Sequence, residues 1–212
     1  MMKKSDILLT LVAGEMIAFF SLPIIYNNFA ETISFTAGAI AAIILLPVIS
    51  VAGLLVANFL SKFFAPFWRL SKFILIGFLN TIIDVGIFNL MIIITGVTSG
   101  FLIGGVNIPG FSVAVLNSYN WNKRWVFKDT SNTGSHSDFF SFMAVTLGGL
   151  LINSSIAIFI TTYLDPAFGM NDTQWATLSK ILAAMVNFVW NFTGYKLFVF
   201  RKKTMNITPI HK

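Results

Sequence analysis

The stretch that decides the fold is residues 72–95, KFILIGFLNTIIDVGIFNLMIIIT, an apolar run with few polar positions. A transmembrane helix needs about 20 mostly apolar residues in succession. Comparable runs occupy most of the remaining chain, at 7–27, 33–60, 101–121, 140–164 and 175–200. The sequence therefore predicts an all-α integral membrane protein with about six transmembrane helices.

The composition agrees with a lipid environment. Hydrophobic residues make up 56% of the 212 positions, charged residues 10%, and the mean hydropathy is +0.82, whereas a soluble domain carries about 25% charged residues. Six crossings leave no room for a soluble catalytic domain. The chain has no cysteine, which excludes thiolate metal sites and cysteine nucleophiles. Because no nucleophile–base pair, phosphate loop or metal spacing is present, we expect neither an enzyme nor a cofactor.

The charged residues of the loops predict the orientation. The basic residues fall in alternate loops: Lys3, Lys4, Lys62, Arg69, Lys72, Lys123, Arg124, Lys128, Arg201, Lys202, Lys203 and Lys212. The intervening loops contain no Lys or Arg; they are 27–32, 95–100 and 165–173. Cytoplasmic loops are enriched in Lys and Arg, so we expect a cell-membrane protein with both termini in the cytoplasm. The net charge of +6 then reflects topology, and we expect no nucleic-acid partner.

The first apolar run follows two lysines, as a signal peptide does. Glu15 interrupts the run, and no small-x-small cleavage site precedes Asn27, so we expect an uncleaved helix. A charge inside the membrane suggests a function. Glu15 would carry a proton or bind a cation, or it would make a polar contact between helices.

Glycine and proline are concentrated in the fourth run, whose first part reads FLIGGVNIPG over residues 101–110. Two interpretations stay open. The helix would be broken or kinked, because freed backbone groups are tolerated at membrane depth where protein or a wet cavity surrounds them. Alternatively, the small residues would permit close helix packing.

Residues 66–128 and 139–201 form an internal repeat with a constant offset of 73. The offset pairs Asn80 with Asn153 and Lys123 with Lys196, and both copies end in Lys-x-aromatic-Val-Phe-basic. Since each copy holds two helices, we expect two parallel hairpins related by a pseudo-twofold axis along the membrane normal. The predicted domains are an N-terminal hairpin over 1–61, a four-helix domain over 62–204 and a cytoplasmic tail over 205–212.

Several motifs in the repeat carry a resemblance to a known family. Gly77–Asp84 (GFLNTIID) resembles the G-x-x-N-T-x-x-D start of GtrA-like membrane proteins. Tyr119–Phe127 (YNWNKRWVF) is similar to the aromatic signature after that family's second helix. Ser179–Ala184 and Asn191–Phe200 resemble its fourth helix. The N-terminal hairpin departs from the family pattern, as do the second-copy positions where Asn and Trp are expected and Tyr195 and Phe198 stand.

The resemblance covers about residues 70–201 and implies a function. GtrA-like proteins are associated with moving polyprenyl-phosphate-linked sugars to the outer face for glycosylation of cell-surface polysaccharides. It implies as partners a polyprenyl-phosphate sugar lipid, the lipid bilayer and a membrane glycosyltransferase, with a homo-oligomer possible. The leading reading is translocation of the lipid-linked monosaccharide. The alternatives are an accessory scaffold for a glycosyltransferase and a small cation exporter that uses Glu15.

Asp84 and Lys180 are the principal candidate substrate-binding residues, because both charges lie within apolar runs. Lys180 would meet a lipid phosphate while Asp84 holds it, or the two would form a structural pair between helices. Asn80 and Asn153 would bind sugar hydroxyls or join helices by hydrogen bonds. Four basic residues at repeat-related helix ends would collect a phosphate or merely anchor the topology: Lys123, Arg124, Lys196 and Arg201.

Overall fold

The computed structural model describes residues 2–126 and 136–194, and within these ranges all side chains except those of Lys123, 136–143 and 191–194. These ranges contain helices and no strand. The helices are α1 (Lys4–Phe29), α2 (Phe35–Leu60), α3 (Phe67–Thr95), α4 (Leu102–Trp121), α5 (His136–Tyr163) and α6 (Asp172–Gly194), with a π-helical segment, Asn122–Val126, directly after α4. The all-α prediction is confirmed, and each predicted run corresponds to one helix.

Four of these helices contain segments long and apolar enough to cross a membrane: α1, α2, α3 and residues Ala144–Tyr163 of α5. The helices α4 and α6 are less apolar because they bring polar residues into the bundle. Packing compensates for their polarity, since α4 lies against α3 and α5, and α6 lies against α5 and α3. Large hydrophobic side chains cover much of the described surface. The chain is therefore a multi-pass integral membrane protein.

Contacts between helix ends define the two ends of the bundle. The Met2 backbone N–H donates to Asn58 Oδ1 at 3.3 Å, which makes α1 and α2 an antiparallel hairpin. An ion pair between Asp6 and Lys72 places the starts of α1 and α3 together. We call residues 2–6, 58–72 and 122–126 the basic end. The opposite end, residues 27–34, 95–101 and 163–174, contains Glu31, Asp165 and Asp172 and is called the acidic end.

Two polar clusters fix α1 on the rest of the bundle. At the basic end, Asp6 accepts from Lys72 and from Trp125 Nε1, the latter at 3.0 Å. Toward the acidic end, Asn89 Oδ1 accepts from Asn27 Nδ2 at 3.0 Å and from Asn28 Nδ2 at 3.1 Å. Lys72, which the sequence analysis treated as a loop charge, is only 2% exposed. Lys72 lies in α3 and not in a loop, and it can be buried because Asp6 supplies its counterion.

Small residues allow the helices to approach closely. α4 is one continuous helix through Pro109, so the predicted break does not occur. A Cβ atom on Gly110 would lie 2.5 Å from the Asp84 backbone oxygen, and one on Gly104 would lie 2.9 Å from Ile158 Cδ1. Gly104 and Gly110 therefore serve close packing, as the second interpretation proposed, whereas a Cβ atom on Gly105 would have nothing within 4 Å.

Candidate functional site

Lys180 is the centre of a buried polar cluster to which four helices each contribute one residue. Its Nζ lies 2.7 Å from Asp84 Oδ2 of α3 and 3.0 Å from Asn153 Oδ1 of α5, and it also donates to Asn107 Oδ1 of α4. Lys180 is 0% exposed. An ammonium group has three N–H donors and no acceptor, so these three oxygens satisfy it completely. We call these four residues the Lys180 cluster.

The surrounding residues hold the Lys180 cluster in place. Asn107 Nδ2 donates to Ser154 Oγ at 2.9 Å, which directs the amide oxygen toward Lys180. The Phe88 ring centre lies 5.8 Å from Lys180 Nζ, within reach of a cation–π interaction. Gly110 faces Asp84 so closely that a Cβ atom there would lie 2.9 Å from Asp84 Oδ1. These contacts orient the side chains of the Lys180 cluster.

Charge balance explains how the Lys180 cluster persists inside a membrane. An ionised side chain at the middle of a transmembrane helix costs about 2.5–3.5 kcal/mol on the insertion scale. Asp84 and Lys180 neutralise each other, and the two asparagine oxygens complete the coordination of the ammonium group. A buried pair is stable only when such additional hydrogen bonds are made.

Two atoms of the Lys180 cluster retain unused hydrogen-bonding capacity. Asp84 Oδ1 and Asn153 Nδ2 are buried and have no hydrogen-bond partner among the described residues. Buried polar groups are normally paired. One of these atoms is an acceptor and the other is a donor. Each of them can form one further hydrogen bond.

The other predicted polar residues lie outside the Lys180 cluster. Asn80 Oδ1 accepts from Asn117 Nδ2 at 2.7 Å, a bond that joins α3 to α4 nearer the basic end. Arg124 is exposed in the π-helical segment at the basic end. The side chain of Lys123, and all of Lys196 and Arg201, fall outside the described residues, so a phosphate-collecting group of four stays a prediction.

Glu15 lies away from this interior. It is exposed on α1 and lines a surface groove with Leu11, Val12, Met16 and Phe19. Its carboxylate makes no hydrogen bond or ion pair with any residue that the structure describes. No described residue therefore supports the interpretation that Glu15 makes a polar contact between two helices of this chain.

A polar cavity opens at the acidic end, between α1 and the beginning of α6. Its volume is about 250 Å³, and Tyr26, Asn27, Glu31 and Asn171 are among its lining residues. Gln174 closes one side by donating to the Asn28 backbone oxygen at 2.9 Å. The N-terminal hairpin thus contributes directly to the surface at this end.

Sequence reasoning missed Asn107 and Asp6. Asn107 lies 73 positions before Lys180, and its Oδ1 accepts a hydrogen bond from Lys180 Nζ. That separation equals the repeat offset, so the two residues occupy equivalent positions of the two copies and contact each other directly. Applying the offset to Lys180 would have identified Asn107. Asp6 has no comparable signal, because it lies outside the repeat.

The family model of the GtrA/DPMS transmembrane domain matches residues 72–200, which include the whole Lys180 cluster. The chain belongs to the GtrA/DPMS transmembrane domain family. Among curated proteins, an uncharacterized membrane protein, YngA of Bacillus subtilis (strain 168), is 26% identical over 138 residues, which cover 65% of this chain and 83% of YngA. No solved structure matches the chain. Within the GtrA/DPMS protein described here, α1 and α2 precede the matched region.

Membership connects the chain with polyprenyl-phosphate sugar processing, in a family of generally non-catalytic membrane proteins. The predicted family resemblance is thereby confirmed. The match begins at Lys72 and ends at Phe200, inside the four-helix domain predicted over 62–204. It places the Lys180 cluster within the family's own region and leaves Glu15 outside it.

Proposed function

We propose that this protein moves a polyprenyl-phosphate-linked monosaccharide from the cytoplasmic to the outer leaflet, for glycosylation of cell-surface polysaccharides, and catalyses no reaction. The observation that carries the proposal is the Lys180 cluster, a fully buried cation with one carboxylate and two amide oxygens around it. A lipid phosphate needs a cation inside the membrane, and a sugar needs amide and carboxylate groups. The Lys180 cluster contains both.

In this mechanism the substrate phosphate exchanges with Asp84 as the anionic partner of Lys180. Asp84 Oδ2 lies 2.7 Å from Lys180 Nζ and so keeps the lysine side chain in place. When a phosphate approaches, its oxygens replace the carboxylate, and a lysine acts toward phosphate as a point charge. Asp84 is then released to accept from a sugar hydroxyl, and Asn153 Nδ2 donates to one.

The ends of the bundle fit a path through the membrane. Alternating basic and acidic loops support a cytoplasmic basic end, because positive residues concentrate on that side. Arg124, together with Lys123, Lys196 and Arg201, would collect the phosphate there, since Arg contacts phosphate in a bidentate manner. The cavity of about 250 Å³ at the acidic end would receive the sugar at the outer face.

The test is transport of a labelled polyprenyl-phosphate sugar across vesicles that contain only the purified protein. We expect transport by the wild type and none by a folded Asp84→Asn/Lys180→Met variant. The matched control is Asp6→Asn/Lys72→Met, which removes a second buried ion pair, at the basic end, and should retain transport. Transport by the first variant equal to the wild type would show that the Lys180 cluster is structural.

The same assay separates the alternatives. An accessory scaffold would give no transport in vesicles that lack a glycosyltransferase, whatever the variant. A cation exporter would move ions through a route that includes Glu15, and the exposed position of Glu15 on α1 gives that alternative no support from the bundle interior.

A further inference from the structure

Glu15 is placed where a charge is least expected in a membrane protein. It lies 11 residues after the start of α1 at Lys4, about 17 Å along the helix at 1.5 Å per residue. The hydrocarbon core is about 30 Å thick, so Glu15 lies near its middle. It is nevertheless exposed at the surface of the bundle, in a helix long and apolar enough to cross the membrane.

Glu15 belongs to a continuous face of α1 that the bundle leaves uncovered. The face consists of Leu8, Leu11, Val12, Glu15 and Phe19, whose spacing of three and four residues places them on one side of a helix. The four apolar members are 63%, 39%, 42% and 66% exposed, in that order. We call it the Leu8 face. A groove of about 370 Å³ runs along it beside Met16.

The opposite side of α1 already packs inside the bundle. Ala13 and Ile17 are 0% and 2% exposed, and Gly14 meets Pro47 of α2 so closely that a Cβ atom there would lie 2.5 Å from Pro47 Cα. Rotation of α1 to bury Glu15 would therefore break this contact. The fold keeps the carboxylate on the outside.

Charged residues within transmembrane segments almost always face the bundle interior or pair with another group. Glu15 has neither arrangement with the residues that the structure describes, so its partner is expected on another molecule. A second copy of this chain is a poor candidate. Its described basic residues lie at the basic end, with the exception of Lys180, which is 0% exposed. No described Lys or Arg of a second copy would therefore reach Glu15.

We propose that the Leu8 face binds a transmembrane helix of a partner protein, and that this helix presents a Lys or Arg at mid-membrane depth. The carboxylate of Glu15 would accept hydrogen bonds from that cation in a low-dielectric setting. The apolar members of the face would pack around the contact. The role is separate from the proposed transport, because Glu15 lies outside the Lys180 cluster.

The test uses two synthetic transmembrane peptides, a poly-leucine helix with one central Lys and the same helix with Leu there. Because the chain has no cysteine, Ser5→Cys supplies a single exposed site for a donor fluorophore. Energy transfer to an acceptor on the peptide is measured in vesicles that contain the full chain. We expect the Lys peptide to bind the wild type at least tenfold more tightly than the Leu peptide, and at least tenfold more tightly than it binds Glu15→Leu.

A matched variant tests whether binding of the Lys peptide requires the Leu8 face in addition to a carboxylate at this depth. Ile49 is 60% exposed on α2 and lies 11 residues before Leu60, at the same depth as Glu15. In Glu15→Leu/Ile49→Glu the carboxylate moves to a different lipid-facing surface. We expect the Lys peptide to bind this variant at least tenfold more weakly than the wild type. Glu15→Gln provides a second substitution should Glu15→Leu not fold.

Three results would overturn the proposal. The first is equal binding of the Lys peptide to the wild type and to the Glu15 variants. The second is binding to the Ile49→Glu variant as tight as to the wild type, which would leave the Leu8 face without a role. The third is energy transfer between donor- and acceptor-labelled copies of the protein that Glu15→Leu abolishes, which would make a second copy the occupant.

Discussion

Replacing Lys180 and replacing Asp84 should not cost the same free energy of unfolding. Lys180→Met removes the donor to three oxygens, those of Asp84, Asn107 and Asn153. Asp84 then keeps a buried charge, and its Oδ1 already has no partner among the described residues. Removing one partner of a buried ion pair costs about 3–5 kcal/mol. We expect Lys180→Met to lower the free energy of unfolding by about that amount.

Asp84→Asn should be milder. The amide oxygen of the new asparagine can still accept from Lys180, and the oxygens of Asn107 and Asn153 remain in place. The ammonium group loses its counterion but keeps its hydrogen bonds. These hydrogen bonds keep the loss near the lower end of the about 3–5 kcal/mol that removing one partner of a buried ion pair costs. Asp84→Asn should therefore leave the protein more stable than Lys180→Met does.

The double variant tests whether the ion pair between Asp84 and Lys180 explains the loss of stability in both single variants. Once Lys180 is Met, the principal cost is the lone carboxylate of Asp84, and Asp84→Asn removes that charge. We expect Asp84→Asn/Lys180→Met to be more stable than Lys180→Met alone by about 1–3 kcal/mol, so that the two single losses do not add, as is usual for residues in contact. The measurement is reversible unfolding of the four proteins in the same detergent.

Single losses that simply add in the double variant would show that Asp84 and Lys180 are not coupled. A loss for Asp84→Asn as large as that for Lys180→Met would show that the two asparagine oxygens do not help to hold the ammonium group. The pair formed by Asp6 and Lys72 provides a comparison, since both members are buried and Trp125 also donates to Asp6 at 3.0 Å. The two single variants Asp6→Asn and Lys72→Met, compared with their double variant, should show the same kind of coupling, without an effect on transport.

Three further predictions test the packing, the lipid site and the topology. Gly110→Ala should destabilise the protein by about 1–3 kcal/mol through overpacking, because the new Cβ would lie 2.5 Å from the Asp84 backbone oxygen. The control is Gly105→Ala on the same helix, whose new Cβ would have nothing within 4 Å. Equal effects of the two substitutions on the free energy of unfolding would contradict the close approach at Gly110. Arg124→Gln combined with Arg201→Gln should weaken binding of polyprenyl-phosphate sugars to the purified protein, whereas Arg69→Gln, an exposed residue of the same end, should not; unchanged binding would reduce Arg124 and Arg201 to topology anchors. Reporters fused after Lys128 and Lys203 should be cytoplasmic and one inserted near Asp165 external, and a cytoplasmic signal at Asp165 would refute the six-helix topology.

The sequence by itself determined the class of fold and its elements. Hydropathy is a local property, because a segment of about 20 apolar residues is driven into the bilayer whatever its neighbours are. The six predicted runs therefore correspond to the six helices, including α4, whose glycines made its continuity doubtful. The polar positions of Gly77–Asp84 and Tyr119–Phe127 were sufficient to indicate the family, which the match over 72–200 confirms.

The sequence also contained part of the site. Asp84 and Lys180 stand out because charges are rare within apolar runs, and the structure brings them to 2.7 Å. Asn153 was expected at the site and contacts Lys180, whereas Asn80, its repeat equivalent, bonds to Asn117 instead. The repeat offset would have supplied Asn107, since equivalent positions of two copies meet where the copies face each other.

The tertiary structure alone decided which side of each helix is inside. A soluble helix reveals its buried face through an apolar stripe, but a transmembrane helix is apolar all round, because lipid and protein interior are equally apolar solvents for its side chains. Hydropathy therefore could not show that Asp6 and Lys72 face inward as a buried pair. For the same reason it could not show that Glu15, on the same helix as Asp6, faces outward. Those two outcomes depend on the contacts of α1 with α2 and α3, which only packing specifies.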